Sequence, residues 1–198
     1  MSFESVNEFE NQVAHFFGAP YAVAVDSCTH ALELCLRYQD VKHSACPKHT
    51  YLSVPMTFEK LGIKYRMLDA KWKEYYHLAN TNIIDAAVTW RENSYVPNTF
   101  MCISFQFKKH LSLGRGGIIL CNNQKDRDEL VKLSYDGRLR GPGWEDQNIE
   151  TVGYHYYMTP ETARYGLSKL QSAKNKVAKT WSWKDYPNLT TMPIFHDK

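Results

Sequence analysis

Four short stretches of this chain carry side chains that could do chemistry together. Asp26-Ser27-Cys28-Thr29 puts hydroxyls and a run of backbone N–H groups where an apolar stretch gives way to a helical pattern. The start of a helix presents unpaired amides and a positive dipole end, which suit an anion. Asp85 closes the apolar stretch Asn82–Asp85, and Ser104 closes another, with Lys108, Lys109 and His110 just beyond it. A lysine amine attacks only when deprotonated, and burial beside other cations lowers its pKa. Lys108 and His110 flank Lys109 and could contribute, although neighbouring side chains can point apart. Tyr51, after Pro47, offers a flat ring. Singly, each has an ordinary explanation: Ser27 or Thr29 as a helix cap, Asp85 as a turn cap, the lysines as solvated surface, Tyr51 as packing. Their joint place at successive strand ends gives them weight.

The elements that must hold these residues follow from periodicity. Val6, Phe9, Val13, Phe16 and Phe17 recur at helical spacing over Phe3–Phe17, and Gly18 and Pro20 end the run. Helices are also expected over Thr29–Tyr38, Ser53–Leu61 before Gly62, Gln124–Tyr135, and Thr159–Val177, where Pro160 suits a first turn. Strands are expected over Tyr21–Val25, Lys64–Leu68, Asn82–Asp85, Phe100–Phe105 and Gly117–Cys121. This alternation predicts an α/β fold with a mostly parallel sheet flanked by helices. In such sheets ligands bind beyond the carboxyl ends of the strands. An anion cradle, a carboxylate, a lysine and a ring plane at those ends would suit a phosphorylated pyridine aldehyde. Asp136–Tyr157, with its glycines and weak periodicity, reads as a long loop, and long loops are usually functional or mobile.

Composition narrows the classes. The 198 residues make one domain with at most a small appendage, and 43% hydrophobic with 23% charged residues argues against wholesale disorder. A net charge of +3, with no basic run, gives no case for nucleic acid. The five cysteines (28, 35, 46, 102, 121) include no CxxC pair, so a reduced, buried role in a cytoplasmic compartment is expected, and no metal site. Met1–Glu10 has no apolar core of a signal peptide, and no apolar run approaches a membrane span.

Five segments, in order, resemble those of the DegT/DnrJ/EryC1/StrS sugar aminotransferases. Ser104-Phe105, with Lys109 four residues after that Phe and then Gly114-Arg115-Gly116-Gly117, resembles the family's lysine segment. Tyr21 to Thr29, with Ala31-Leu32, is similar to its phosphate-binding turn. Cys46-Pro47 to Thr50-Tyr51 resembles its Pro-x-x-Thr-aromatic segment, Ile84-Asp85-Ala86-Ala87 its Asp-Ala-Ala segment, and Gly153-Tyr154-His155 to Thr159 its Gly-Tyr-Asn-x-Arg-Met-Thr segment.

The resemblance implies pyridoxal 5'-phosphate as cofactor, on the large domain of a fold-type-I transferase. Lys109 would hold the cofactor covalently and act as general base. Asp85 would pair with the pyridine nitrogen, and Tyr51 would stack on the ring. Ser27, Cys28, Thr29 and Ser104 would hold the phosphate. His155 would reach the cofactor phosphate in the neighbouring subunit of a homodimer with shared sites. The implied reaction moves an amino group from a glutamate-like amino acid to a keto-sugar nucleotide. The departures leave alternatives open. Val88 stands where the family has Gln or His, and His155 and Tyr157 replace its Asn and Arg. Asp69–Asn82 leaves room for one crossover helix, and the family's small C-terminal domain is almost absent. The domains expected are therefore residues 1–178, an α/β cofactor-binding body, and 179–198, a short aromatic tail. That tail, around Trp181, Trp183 and Tyr186, or the loop Asp136–Tyr157, is expected to cover the site. A non-catalytic assembly subunit, or a dehydratase, is the competing reading; Asp85 with Lys109 weighs against the first, and Lys109, where such dehydratases have histidine, against the second.

Overall fold

A computed structural model describes residues 3–196; residues 1–2 and 197–198, the extreme ends of the N-terminal stretch and of the tail, lie outside the described residues. Five α-helices are present among the described residues: α1 (Glu4–Phe17), α2 (Cys28–Tyr38), α3 (Ser53–Leu61), α4 (Gln124–Ser134) and α5 (Pro160–Lys174). The strands are β1 (Tyr21–Val25), β2 (His43–Pro47), β3 (Lys64–Leu68), β4 (Tyr76–His77), β5 (Ile83–Asp85), β6 (Phe100–Ser104) and β7 (Gly117–Cys121).

The local signals act as their chemistry dictates. Gly18 ends α1 in the left-handed region at φ 74° and returns its N–H to Ala14 and His15. Ser27 caps α2 and Thr159 caps α5, each through a side-chain oxygen that accepts a backbone N–H. Strands β6 and β7 are buried throughout and feed two apolar layers. Met101, Ile103, Ile118 and Leu120 point into a layer with α1 and α5, built on Phe9, Phe17 and Leu170. Phe100, Cys102, Ile119 and Cys121 point to the opposite layer, against α2 and α4, with Leu32, Leu34 and Leu130.

The sheet is mixed, which corrects the mostly parallel expectation. Its order is β1-β7-β6-β5-β4, and β2 pairs with β3 in a separate two-stranded sheet. Only β5·β6 and β2·β3 are parallel; β1·β7, β6·β7 and β4·β5 are antiparallel. The cause lies in the connections. Residues 105–116 contain no helix to carry a crossover, so β7 returns directly beside β6. Between Asp69 and Asn82 the expected crossover helix is replaced by a tight return. Trp72, Tyr76 and Leu78 are buried at intervals of two or four, Asn80 turns at φ 62°, and Leu78 N–H bonds Ile83 O at 2.9 Å. The alternation of buried Tyr76, exposed His77 and buried Leu78 is that of a strand, and it lays β4 against β5. Strand β2 was not expected either; Ser44, Ala45, Cys46 and Pro47 are buried without the β-branched residues that announce a strand.

No described helix is long and apolar enough to cross a membrane. All five cysteines are buried free thiols, and Cys35 Sγ and Cys102 Sγ lie 3.8 Å apart.

Candidate active site

Mixed pairing still brings the expected residues to one edge. Strand β1 runs antiparallel to β7, and β7 antiparallel to β6, so β1, β5 and β6 all point the same way. Their carboxyl ends deliver Ser27, Asp85 and Ser104 to one cavity of about 510 Å³. Ser27, Cys28, Thr29, Tyr51, Asp85, Ser104 and Lys109 all line it. His155 does not: it is exposed and paired with Asp136 at 2.9 Å, on a bridge to Tyr135.

The cradle is the turn from β1 into α2. As the first residues of α2, Cys28 and Thr29 have N–H groups without a carbonyl partner inside the helix. Ser27 Oγ accepts from His30 N at 3.2 Å and Thr29 Oγ1 donates to Ser53 Oγ at 2.9 Å, which fixes the turn. Asp26 braces it from outside, accepting from His30 Nδ1 at 2.6 Å and from Arg115 at 2.8 Å. Gly117 makes this close approach possible. A Cβ there would lie 2.5 Å from both Cys28 N and Ser27 C.

Asp85 sits at the cavity floor, 6% exposed. Tyr76 Oη donates to its Oδ2, and Ala87 N donates to Oδ1 at 3.0 Å. Burial pushes its pKa above the usual carboxylate value, while the two hydrogen bonds and the charge of Lys109 pull it back. Lys109 is half-buried, and burial holds its amine below the ordinary lysine value; Cys28 and Asp85 oppose this, and Lys108 adds to it. Burial also drives the Cys28 thiol upward, so that side chain is neutral packing rather than a thiolate. Lys108 is exposed, with its Nζ 5.6 Å over the Phe107 ring.

The tail forms the far wall. Trp181, Asp185 and Tyr186 line the cavity, and Lys109 Nζ stands 5.7 Å over the Trp181 ring. Backbone bonds from Glu74 N to Trp181 O and from Trp183 N to Trp72 O tie the segment down. Trp183 faces His49 instead of the cavity, and the loop Asp136–Tyr157 contributes no lining residue. Sequence reasoning missed Ser53, Gln106, Phe107 and Arg115 as lining residues, and Tyr76 as the partner of Asp85. Arg115 had a signal, its place between the glycines that precede β7. Tyr76 had none, because β4 was not foreseen.

The donor set has a definite chemistry. Helix-start amides and hydroxyls suit a phosphate. A buried carboxylate with a raised pKa suits a neighbouring ring N–H that carries positive charge. A lysine with a lowered pKa suits bonding to a carbonyl carbon. Tyr51 and Trp181 supply planes for a flat ring. The residues present therefore fit a phosphorylated, planar, carbonyl-bearing heterocycle.

Fold and site define an α/β protein with a lysine, an acid and an anion turn at one sheet edge. The DegT/DnrJ/EryC1/StrS aminotransferase family model matches residues 1–98 and 96–186, and the chain belongs to this family. Among curated proteins it is similar to the dTDP-3-amino-3,4,6-trideoxy-alpha-D-glucose transaminase of Micromonospora megalomicea subsp. nigra, 24% identical over 168 residues. That match covers 82% of this chain and 42% of the relative. Among solved structures, AtS13 of Actinomadura melliaura superposes with a TM-score of 0.75 at 19% identity, over 88% of this chain and 61% of that one. Spr1654 of Streptococcus pneumoniae, in its PLP form, gives 0.71 at 18%, over 85% and 59%; a PMP form of the same protein is also similar. At such identities the structural likeness concerns the fold. The chain spans less than two thirds of each of these relatives.

Proposed function

We propose that this chain binds pyridoxal 5'-phosphate and works as an aminotransferase, from a glutamate-like amino acid to a keto-sugar nucleotide. One observation carries the reading: buried Asp85 and half-buried Lys109 line one cavity whose wall is the amide-rich start of α2. Family membership and the PLP-form relative support it.

In this reading Ser27, Cys28, Thr29 and Ser104 hold the phosphate and Tyr51 covers one ring face. Asp85 accepts the proton-bearing ring nitrogen. When bound, pyridoxal phosphate supplies an electron sink for charge at the substrate carbon. Lys109 would hold the group covalently, and its free amine would take and return a proton at that carbon; burial holds its pKa below the ordinary lysine value, which favours the unprotonated amine that a base needs. Trp181 and Tyr186 exclude water from the far side. Residues 1–178 are the cofactor-holding body and 179–198 the tail that closes it. The proposal includes a homodimer in which exposed His155 serves the partner's site.

Borohydride reduction of the protein loaded with pyridoxal phosphate, followed by peptide mapping, tests the assignment. The pyridoxyl group should be found on Lys109, and added glutamate should change the visible spectrum before reduction. Label on Lys108 would move the lysine by one residue. A colourless protein that takes up no cofactor would overturn the reading.

A further inference from the structure

Asp85 is held by a side chain that reaches it from a neighbouring strand. Tyr76 of β4 is its cross-strand partner in the β4·β5 ladder. The tyrosine is buried, and its Oη donates to Asp85 Oδ2. A tyrosine has one hydroxyl proton, and here it is directed at the carboxylate. The Thr50 hydroxyl, also buried and in hydrogen-bond contact with Tyr76 Oη, must therefore be the donor to that oxygen. The result is a relay from Thr50 to Tyr76 to Asp85, through three residues at most 8% exposed. Val88, three residues beyond Asp85, brings no polar atom.

We propose that Tyr76 is the positioning residue of Asp85: with Thr50 behind it, it grips Oδ2 while Ala87 N grips Oδ1, and so fixes the plane of the carboxylate and favours its ionised form. The functional meaning of this inference rests on the cofactor reading above; its physical content concerns the chain alone. A buried carboxylate retains charge only when donors replace water. The ionisable groups acting on Asp85 come from every side: Tyr76 on β4, Cys102 on β6, Cys28 on α2, Cys46 on β2, Tyr186 on the tail, and Lys109 after β6. The thiols and phenols among them all have raised pKa values and are neutral near pH 7. Lys109 is the positive charge of this set, and it becomes mobile if it acts as the base. Tyr76 and Ala87 N are then the constant supports. The relay also ties the acid to the Thr50-Tyr51 loop, so the ring-stacking tyrosine and the acid share one framework.

The test is the titration of Asp85 in the ligand-free protein, followed by its carboxyl carbon-13 signal and assigned by its loss in Asp85→Asn. Tyr76→Phe removes one hydrogen bond to a charged acceptor and should raise the midpoint by about one to two pH units. Thr50→Val removes only the donor behind the tyrosine and should raise it by a smaller step. It serves as the measurement if Tyr76→Phe does not fold. A tyrosine that merely packs would lower the melting temperature and leave the midpoint in place; an unmoved midpoint in the folded variant overturns the proposal. Cofactor uptake by the unmodified chain is read separately. If it takes up no pyridoxal phosphate while the midpoint moves in Tyr76→Phe, the cofactor reading falls and the positioning role is upheld.

Discussion

Gly117→Ala puts a single methyl group where β7 passes under the cradle. The added Cβ would lie 2.5 Å from Cys28 N, 2.5 Å from Ser27 C and 2.7 Å from Ser27 O, whereas ordinary contacts begin at 3.4 Å. These are backbone atoms, so no side chain can swing aside, and the turn must retreat by roughly 1 Å. Gly117 is paired with Val25 on one side and Ser104 on the other, which blocks the opposite movement of β7. Overpacking of this kind costs about 1–3 kcal/mol, which lowers the melting temperature of a chain this size by about 2–12 °C. A shift of about 1 Å in a positioning element costs on the order of a hundredfold in activity, about 2.7 kcal/mol, so the loss of function should be at least comparable to the loss of stability. Thermal melts and pyridoxal-phosphate titration, followed by absorbance, measure the two separately. Gly143→Ala is the control, since its Cβ would meet only the flexible carboxylates of Glu145 and Asp146. A Gly117→Ala protein with unchanged melting temperature and unchanged cofactor affinity would refute the close-approach reasoning.

Asp85→Asn should stabilise the ligand-free protein at neutral pH while abolishing electron-sink chemistry. Burial raises this acid's pKa, so its contribution favours the fold at low pH and is lost as pH rises through the folded value; the advantage of the variant should therefore vanish as pH falls toward 3.8, as denaturant midpoints across pH would show. Arg140→Met should destabilise by about 3–5 kcal/mol in urea melts, because Glu10, 3% exposed, would lose its 2.9 Å partner; Arg127, 3.8 Å away, softens this toward the lower figure. Mixing inactive Lys109→Ala with inactive His155→Ala chains should restore part of the activity if two chains share sites, and no recovery after verified subunit exchange would exclude sharing.

The strand-end residues of the candidate site were legible because strand ends and helix starts have short-range signatures. Ser27 before an amphipathic run, Asp85 after Ile83-Ile84, and Lys109 beyond Ser104 each announce their place locally. Strand direction did not, because it is decided by what connects the strands: nothing within Phe100–Phe105 or Gly117–Cys121 says that they run oppositely. Tyr76 shows the same limit more sharply. Its role depends on β4 lying in register with Asp85, and a two-residue strand leaves no periodicity to read. Trp181 and Tyr186 were visible as an aromatic tail, but which ring faces the cavity and which, like Trp183, faces His49 is settled only by packing.

The antiparallel return of β7 also sets the order in which this chain can mature. Strand β1 finds its only partner within the main sheet in β7, so Tyr21 must wait for Cys121. During synthesis the cradle residues emerge early, yet the strand that seats them arrives nearly a hundred residues later. Closing so long a loop makes this pairing a slow, late event in folding. Until then α2 has no floor beneath its first turn, and a ligand that needs the cradle has nothing to select. Acquisition of the bound group would thus report a finished fold, and a nascent chain halted before Gly117 would expose β1 as an unpaired edge open to aggregation.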